Sequence, residues 1–80
     1  MTEVKYLSSI SLDGKRFRVG SLVKYTGYFH NEYWALITKI ERKRNEIVFF
    51  NLFELSDKEN FWVPYEDLIN NLVEMHCVSP

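Results

Sequence analysis

The 80-residue chain has a single cysteine, Cys77, and only two histidines. One cysteine cannot form an internal disulfide, which is consistent with a reducing, cytoplasmic setting. Two histidines and one cysteine are also too few for a structural zinc set. His76 precedes Cys77 directly, and adjacent side chains of a strand point to opposite faces, so the two cannot form a thiolate–imidazole pair.

Other signatures of enzymes and membrane proteins are missing as well. The sequence has no glycine-rich phosphate loop and no paired-carboxylate pattern, and it lacks the run of about 18 apolar residues that a membrane helix needs. Glu3 stands where a signal peptide would carry positive charge. We therefore expect a soluble, non-catalytic protein with no metal site, no cofactor and no membrane contact.

The formal net charge of −1 removes the strongest sequence argument for a nucleic-acid-binding protein. The charges are nevertheless unevenly distributed. Residues 1–45 carry nine Lys or Arg against four acids, whereas residues 46–80 carry one Lys against seven acids. Because strands from both halves interleave in a small barrel, this asymmetry need not produce two opposed faces.

The chain is rich in hydrophobic residues, at 46%, which is ample for one small core. A strand predicted in the middle of the chain organises the rest. Ala35, Ile37 and, after a one-residue bulge, Ile40 form one apolar face, while Trp34 and Leu36 form the other. A strand that is apolar on both faces needs a cover on each side.

Turn signals divide the remaining chain into short strands. Asp13-Gly14 favours a type I′ hairpin turn, because both central positions need positive φ. Pro64 ends a short strand, and residues 65–68 suit a single helical or 3₁₀ turn. Residues 41–46 are interpreted as a charged turn. The predicted strands are residues 3–12, 15–19, 22–25, 33–40, 47–54, 61–63 and 72–78.

These elements predict an all-β fold, and several landmarks resemble those of SH3-like small barrels, Tudor domains in particular. The landmarks are Val19-Gly20, the Tyr33-x-Ala35-x-Ile37-x-x-Ile40 strand, Ile47-Val48-Phe49-Phe50, Val63-Pro64 and Glu66-Asp67-Leu68. They span roughly residues 17–74. We predict one domain over residues 1–80, in which an N-terminal β-hairpin extension (1–16) precedes a Tudor-like barrel (17–78) of five or six short strands with one 3₁₀ turn.

The resemblance to Tudor domains implies a minor functional alternative, since some of them read methylated Lys or Arg with a cage of aromatic rings. Tyr25 and Tyr33 match two cage positions, but Asn51 and Glu54 stand about where further cage aromatics would be. A second resemblance, to KOW motifs, rests on Gly20-x-x-Val23-x-Tyr25 followed by Gly27. It implies nucleic-acid or ribonucleoprotein binding, although Trp34-Ala35 replaces a glycine of that motif.

Three surfaces are candidate sites. The first is an aromatic edge, because aromatic side chains with polar tips anchor interfaces; local packing at one end of the barrel is the alternative. It contains Tyr25, Tyr28, Phe29 and Tyr33, with Phe61 and Trp62 as neighbours.

The second candidate is the outer apolar face, which consists of Trp34, Leu36, Ile47, Phe49 and Phe53. Either the N-terminal hairpin covers this face as a second layer, or the face is a homodimer or partner interface.

The third candidate is basic and would contact phosphates or an acidic partner, unless it is a solvated hairpin tip. It comprises Lys39, Arg42, Lys43 and Arg44, and could be joined by Lys15, Arg16 and Arg18.

The leading hypothesis is a module that binds a protein partner through the aromatic edge. Its size suits a bacterial or phage accessory protein that acts on a host complex. The rival is KOW-like nucleic-acid or ribonucleoprotein binding through the basic hairpins.

Overall fold

A computed structural model describes residues 4–76 of the chain. Within them the fold is mostly β, as predicted, with one short α-helix. The main sheet has the strand order β7-β6-β5-β4-β8 with β1 beside β5, and β2 and β3 form a separate two-stranded sheet. The elements are β1 (Val4–Leu7), β2 (Ser9–Leu12), β3 (Lys15–Arg18), β4 (Leu22–Thr26), a 3₁₀ turn (Tyr28–His30), β5 (Glu32–Lys43), β6 (Val48–Glu54), β7 (Glu59–Pro64), α1 (Tyr65–Asn71) and β8 (Leu72–His76).

Strand β5 is the axis of the main sheet. One of its edges pairs with β4 and, further along, with β1, while the other edge pairs with β6, all antiparallel. The register shift between Ile37 and Lys39 confirms the predicted bulge. The prediction of a charged turn over residues 41–46 is wrong in part: β5 continues to Lys43 because β1 and β6 flank it there, and the turn begins after Lys43.

The N-terminal segment differs from the single strand predicted over residues 3–12, of which Glu3 lies outside the described residues. The chain breaks at Ser8 into β1, which pairs with β5, and β2, which pairs with β3. The predicted hairpin turn is confirmed, since Asp13 has φ 51° and Gly14 has φ 79°. The segment predicted as one strand therefore contributes β1 to the main sheet and β2 to the two-stranded sheet.

The β2–β3 hairpin packs against the inner face of the main sheet. Phe17 of β3 is fully buried, with its ring centroid 5.1 Å from that of Phe50 on β6. Ile10 and Leu12 of β2 pack against the same core. The hairpin thus does not lie over Trp34, as one alternative supposed. The buried hydrophobic residues are Phe17, Val23, Ala35, Ile37, Ile40, Val48, Phe50, Leu52 and Leu68.

Helix α1 corrects the prediction of a single turn near residues 65–68, because it continues for seven residues to Asn71. Leu68 is buried against the core, and the Tyr65 hydroxyl donates a 2.6 Å hydrogen bond to Asp13 in the hairpin turn. This bond raises the pKa of Tyr65. Residues 77–78 of the last predicted strand, including Cys77, lie outside the described residues. In residues 4–76 no helix has the length and apolar character needed to cross a membrane.

Candidate functional site

Three aromatic rings meet at the end of the sheet where β4 and β5 join. We call Tyr25, Tyr33 and Phe61 the aromatic cluster. Tyr25 is the direct cross-strand partner of Tyr33, and their ring centroids are 5.8 Å apart. Phe61 of β7 completes the cluster, 5.9 Å from Tyr25. These distances are those of aromatic rings in direct contact.

The turn between β4 and β5 lies against this cluster. The Gly27 N–H donates a 2.7 Å hydrogen bond to the Asn31 carbonyl, which closes the turn. A Cβ on Gly27 would be 2.6 Å from a ring carbon of Tyr33, so the close approach requires glycine. The backbone of Phe29 (φ 58°) and His30 (φ 61°) is left-handed, and Phe29 is 91% exposed.

A buried carboxyl group lies behind the cluster. Glu54 ends β6 and forms hydrogen bonds with the Tyr25 hydroxyl and with Asp57. Burial, followed by the hydrogen bond and the charge of Asp57, raises the pKa of Glu54, and the Tyr25 bond opposes part of this shift. Burial and the neighbouring Glu54 also raise the pKa of Tyr25. Since Glu59 is the cross-strand partner of Glu54, this end of the sheet is acidic as well as aromatic.

The raised pKa of Glu54 predicts a pH dependence of stability. A carboxyl that binds its proton more tightly in the folded protein contributes stability that is fully present below the unfolded-state pKa of about 4.3 and is lost as the pH rises through the folded-state pKa. Glu54→Gln keeps an acceptor for Tyr25 and removes the charge. We expect it to raise the free energy of unfolding at pH 7.5 by about 1 kcal/mol, and to change it much less near pH 4.

Denaturant titrations of the wild type and Glu54→Gln at both pH values measure this effect. Asn70→Gln, at an exposed position in α1, changes no titratable group; it is the control and should affect stability equally at the two pH values. An equal effect of Glu54→Gln at both pH values would contradict the raised pKa.

The structure brings together only some of the residues of the predicted aromatic edge. Tyr25, Tyr33 and Phe61 come together, and Phe29 is at the tip of the adjoining turn. Trp62 points to the other face of β7, where its strand partner is Asn51, and is 44% exposed. Of Tyr28 only the backbone, in the 3₁₀ turn, is described. Methyl-Lys or methyl-Arg recognition stays a prediction, and a cation held between the rings of Tyr25 and Tyr33 would have to separate them.

The outer apolar face (Trp34, Leu36, Ile47, Phe49 and Phe53) makes most of its recorded contacts with side chains of its own and neighbouring strands, and Leu12 of the hairpin reaches only the part near Ile47 and Phe49. The Lys24 ammonium lies 5.5 Å from the Trp34 ring, and His76 packs on the same ring at 5.9 Å. The Lys43 ammonium lies 4.9 Å from the Phe49 ring. Leu36 and Phe53 are cross-strand partners, and Ile47 is 46% exposed. A homodimer or partner interface on this face stays a prediction.

The predicted basic residues fall into separate groups. Arg42, Lys43 and Arg44 line a cleft together with Lys5, which sequence reasoning missed because β1 and β5 are far apart in the chain. Lys39 lines another groove with the exposed Tyr6. Lys15, Arg16 and Arg18 are carried by the β2–β3 hairpin.

No family model matches the chain, and neither a curated protein nor a solved structure matches it. The geometry of these surfaces is therefore the basis for the function proposed below.

Proposed function

We propose that this protein is a non-catalytic interaction module that binds a protein partner through Phe29 and the adjoining aromatic cluster. The observation that carries the proposal is the position of Phe29, a large apolar side chain that is 91% exposed at the tip of a closed turn. Burying a phenylalanine side chain is worth about 1.5–3 kcal/mol. A partner with an apolar pocket would recover this free energy on binding.

The turn also supports the proposal because it holds Phe29 in a conformation with an intrinsic cost. Left-handed backbone costs a residue other than glycine about 1–2 kcal/mol, and such positions concentrate at functional sites. The Gly27–Asn31 hydrogen bond and the 3.1 Å ion pair between Lys24 and Glu32 fix both ends of the turn. Because the turn already fixes the backbone of Phe29, binding has to order only its side-chain rotamers.

The charges around the cluster indicate the partner's chemistry. Asp57 and Glu59 are exposed beside the buried Glu54, and no basic side chain forms an ion pair with these three acids in residues 4–76. Acidic groups at the rim of an interface favour a partner of opposite charge. We therefore expect an apolar pocket with Lys or Arg at its border.

The decisive variant is Phe29→Gly. Glycine adopts positive φ without strain, so we expect the free energy of unfolding to stay equal or to rise by up to about 1 kcal/mol, while partner binding is lost. Phe29→Trp keeps an aromatic anchor and should keep binding. A photo-crosslinking side chain at position 29 should capture a protein partner in cell extract, and the captured protein, once purified, should bind Phe29→Gly at least tenfold more weakly than the wild type.

The matched control is Val73, which is 45% exposed on β8. A crosslinker at position 73 should not capture the same protein, and Val73→Ala should keep binding. If the captured protein binds Phe29→Gly as tightly as the wild type, or if both positions capture it equally, the aromatic end is not the interface.

We also propose that the fold is a Tudor-like variant of the SH3-like barrel. Three features support this assignment: β5 pairs along both edges, the last described strand pairs with β4, and the helix before that strand carries the buried Leu68. In the described residues β7 and β8 lie at opposite ends of the strand order. The β2–β3 hairpin then covers the inner face as an integral layer.

A further inference from the structure

The geometry points to a binding site for phosphate groups in the cleft between β1 and the C-terminal end of β5. We call this the basic cleft and define it by Lys5, Arg42, Lys43, Arg44 and Glu46, which line it. None of these residues belongs to the aromatic end, so the basic cleft is independent of the function proposed above.

Strand pairing creates the site. Lys5 of β1 is the direct cross-strand partner of Arg42 of β5, and Arg44 follows where β5 turns toward β6. The cleft has a volume of about 160 Å³. This space is large enough to admit one phosphate group.

Most of the positive charges in the cleft have no ion-pair partner within residues 4–76. The Lys43 ammonium lies 3.8 Å from a carboxylate oxygen of Glu41. Within residues 4–76, no ion pair joins Lys5, Arg42 or Arg44 to a carboxylate. Glu46 is the only acid in the lining of the basic cleft. Like charges directly opposite each other destabilise a strand pair. A bound dianion would remove this repulsion, which gives the Lys5–Arg42 pair a functional reason.

Phosphate fits these groups better than a carboxylate does. An arginine fork binds two oxygens of either anion at once, so the difference comes from the second negative charge of phosphate, which attracts an ammonium group as a point charge of opposite sign. A dianion also competes with Glu46 for the cations more effectively than a monoanion. The phosphate could come from a free polyphosphate or nucleotide, or from a nucleic-acid strand that continues over β1 toward Lys39 and the exposed Tyr6.

The test is a titration of the ¹⁵N-labelled full chain followed by amide chemical shifts at low salt. Tripolyphosphate, ATP and a 20-nucleotide oligothymidylate are the probes. We expect shifts confined to β1 and the end of β5 with at least one of them. Tripolyphosphate and ATP binding identifies a free phosphate ligand; oligothymidylate binding alone, with a steep salt dependence, identifies a nucleic-acid strand.

The key variant is Lys5→Glu, which converts the like-charge pair with Arg42 into an ion pair. Thermal unfolding should therefore occur at an equal or higher temperature, so misfolding cannot explain a loss of binding. Since hydrogen bonds to charged groups contribute about 1.5–3 kcal/mol, we expect phosphate affinity to fall about tenfold or more. Lys15→Glu makes the same charge change on the exposed β2–β3 hairpin and should change affinity less than twofold.

Two results would overturn the proposal. The first is the absence of shifts with every probe. The second is equal binding of polyglutamate, or an equal loss with Lys15→Glu, since either would mean non-specific attraction of polyanions.

Discussion

Replacing Phe17 by alanine is expected to lower the free energy of unfolding by about 3–5 kcal/mol. A domain of this size has a total stability of roughly 4–12 kcal/mol. We therefore expect the Phe17→Ala variant to be partly or wholly unfolded at 37 °C. This is the largest effect we predict for a single side chain.

The physical reason is that Phe17 joins three elements. Its ring is fully buried and lies 5.1 Å from Phe50 of β6 and 5.7 Å from Tyr65 of α1, centroid to centroid. Truncation would leave a cavity between the β2–β3 hairpin and the main sheet. The hydrogen bond from Tyr65 to Asp13 also links the helix to the hairpin turn, but it is exposed.

Urea or guanidinium titration of the wild type and Phe17→Ala measures the loss, and Val19→Ala is the control. Val19 follows β3 but is 40% exposed, so its truncation should change stability by less than about 0.5 kcal/mol. If Phe17→Ala is no less stable than Val19→Ala, the hairpin does not share the core of the sheet.

Leu68→Ala is expected to have the second largest effect, a loss of about 2–5 kcal/mol. Leu68 is 2% exposed and is the buried residue of α1. A helix of seven residues is too short to be stable alone, so its attachment depends on this side chain. Without it we expect α1 to detach and the pairing of β8 with β4 to weaken.

Two measurements separate these effects. Chemical denaturation gives the loss of stability, and amide hydrogen exchange should show reduced protection in α1 and β8 before the rest of the sheet. Val73→Ala on β8, at an exposed position, should leave both unchanged. Uniform loss of protection through all strands would show that α1 unfolds only together with the entire domain.

Local sequence signals predicted those parts of the fold that depend on neighbouring residues. The alternation around Ala35 and Ile37 gave the inner face, and the bulge before Ile40 followed from the same pattern. The division of residues 3–12 at Ser8 was missed, because alternation continues across it. What separates β1 from β2 is the choice of partner strand, which is a non-local property.

The same distinction applies to the candidate sites. Tyr25 and Tyr33 flank one short turn, so their meeting could be predicted, and Phe61 joined them as a supposed neighbour. The Phe61-Trp62 pair could have been separated by strand alternation alone, since adjacent residues face opposite sides. Lys5 could not be assigned to the basic cleft from sequence, because only the pairing of β1 with β5 brings it opposite Arg42.

Strand β5 carries the two proposed sites at its two ends. Tyr33 belongs to the aromatic cluster and Arg42 to the basic cleft, and at about 3.3 Å per residue the strand separates them by about 30 Å. At this spacing two ligands do not collide, so both can be bound at once. With both proposed sites occupied, the domain would hold its two ligands close together, which raises the effective concentration of each near the other.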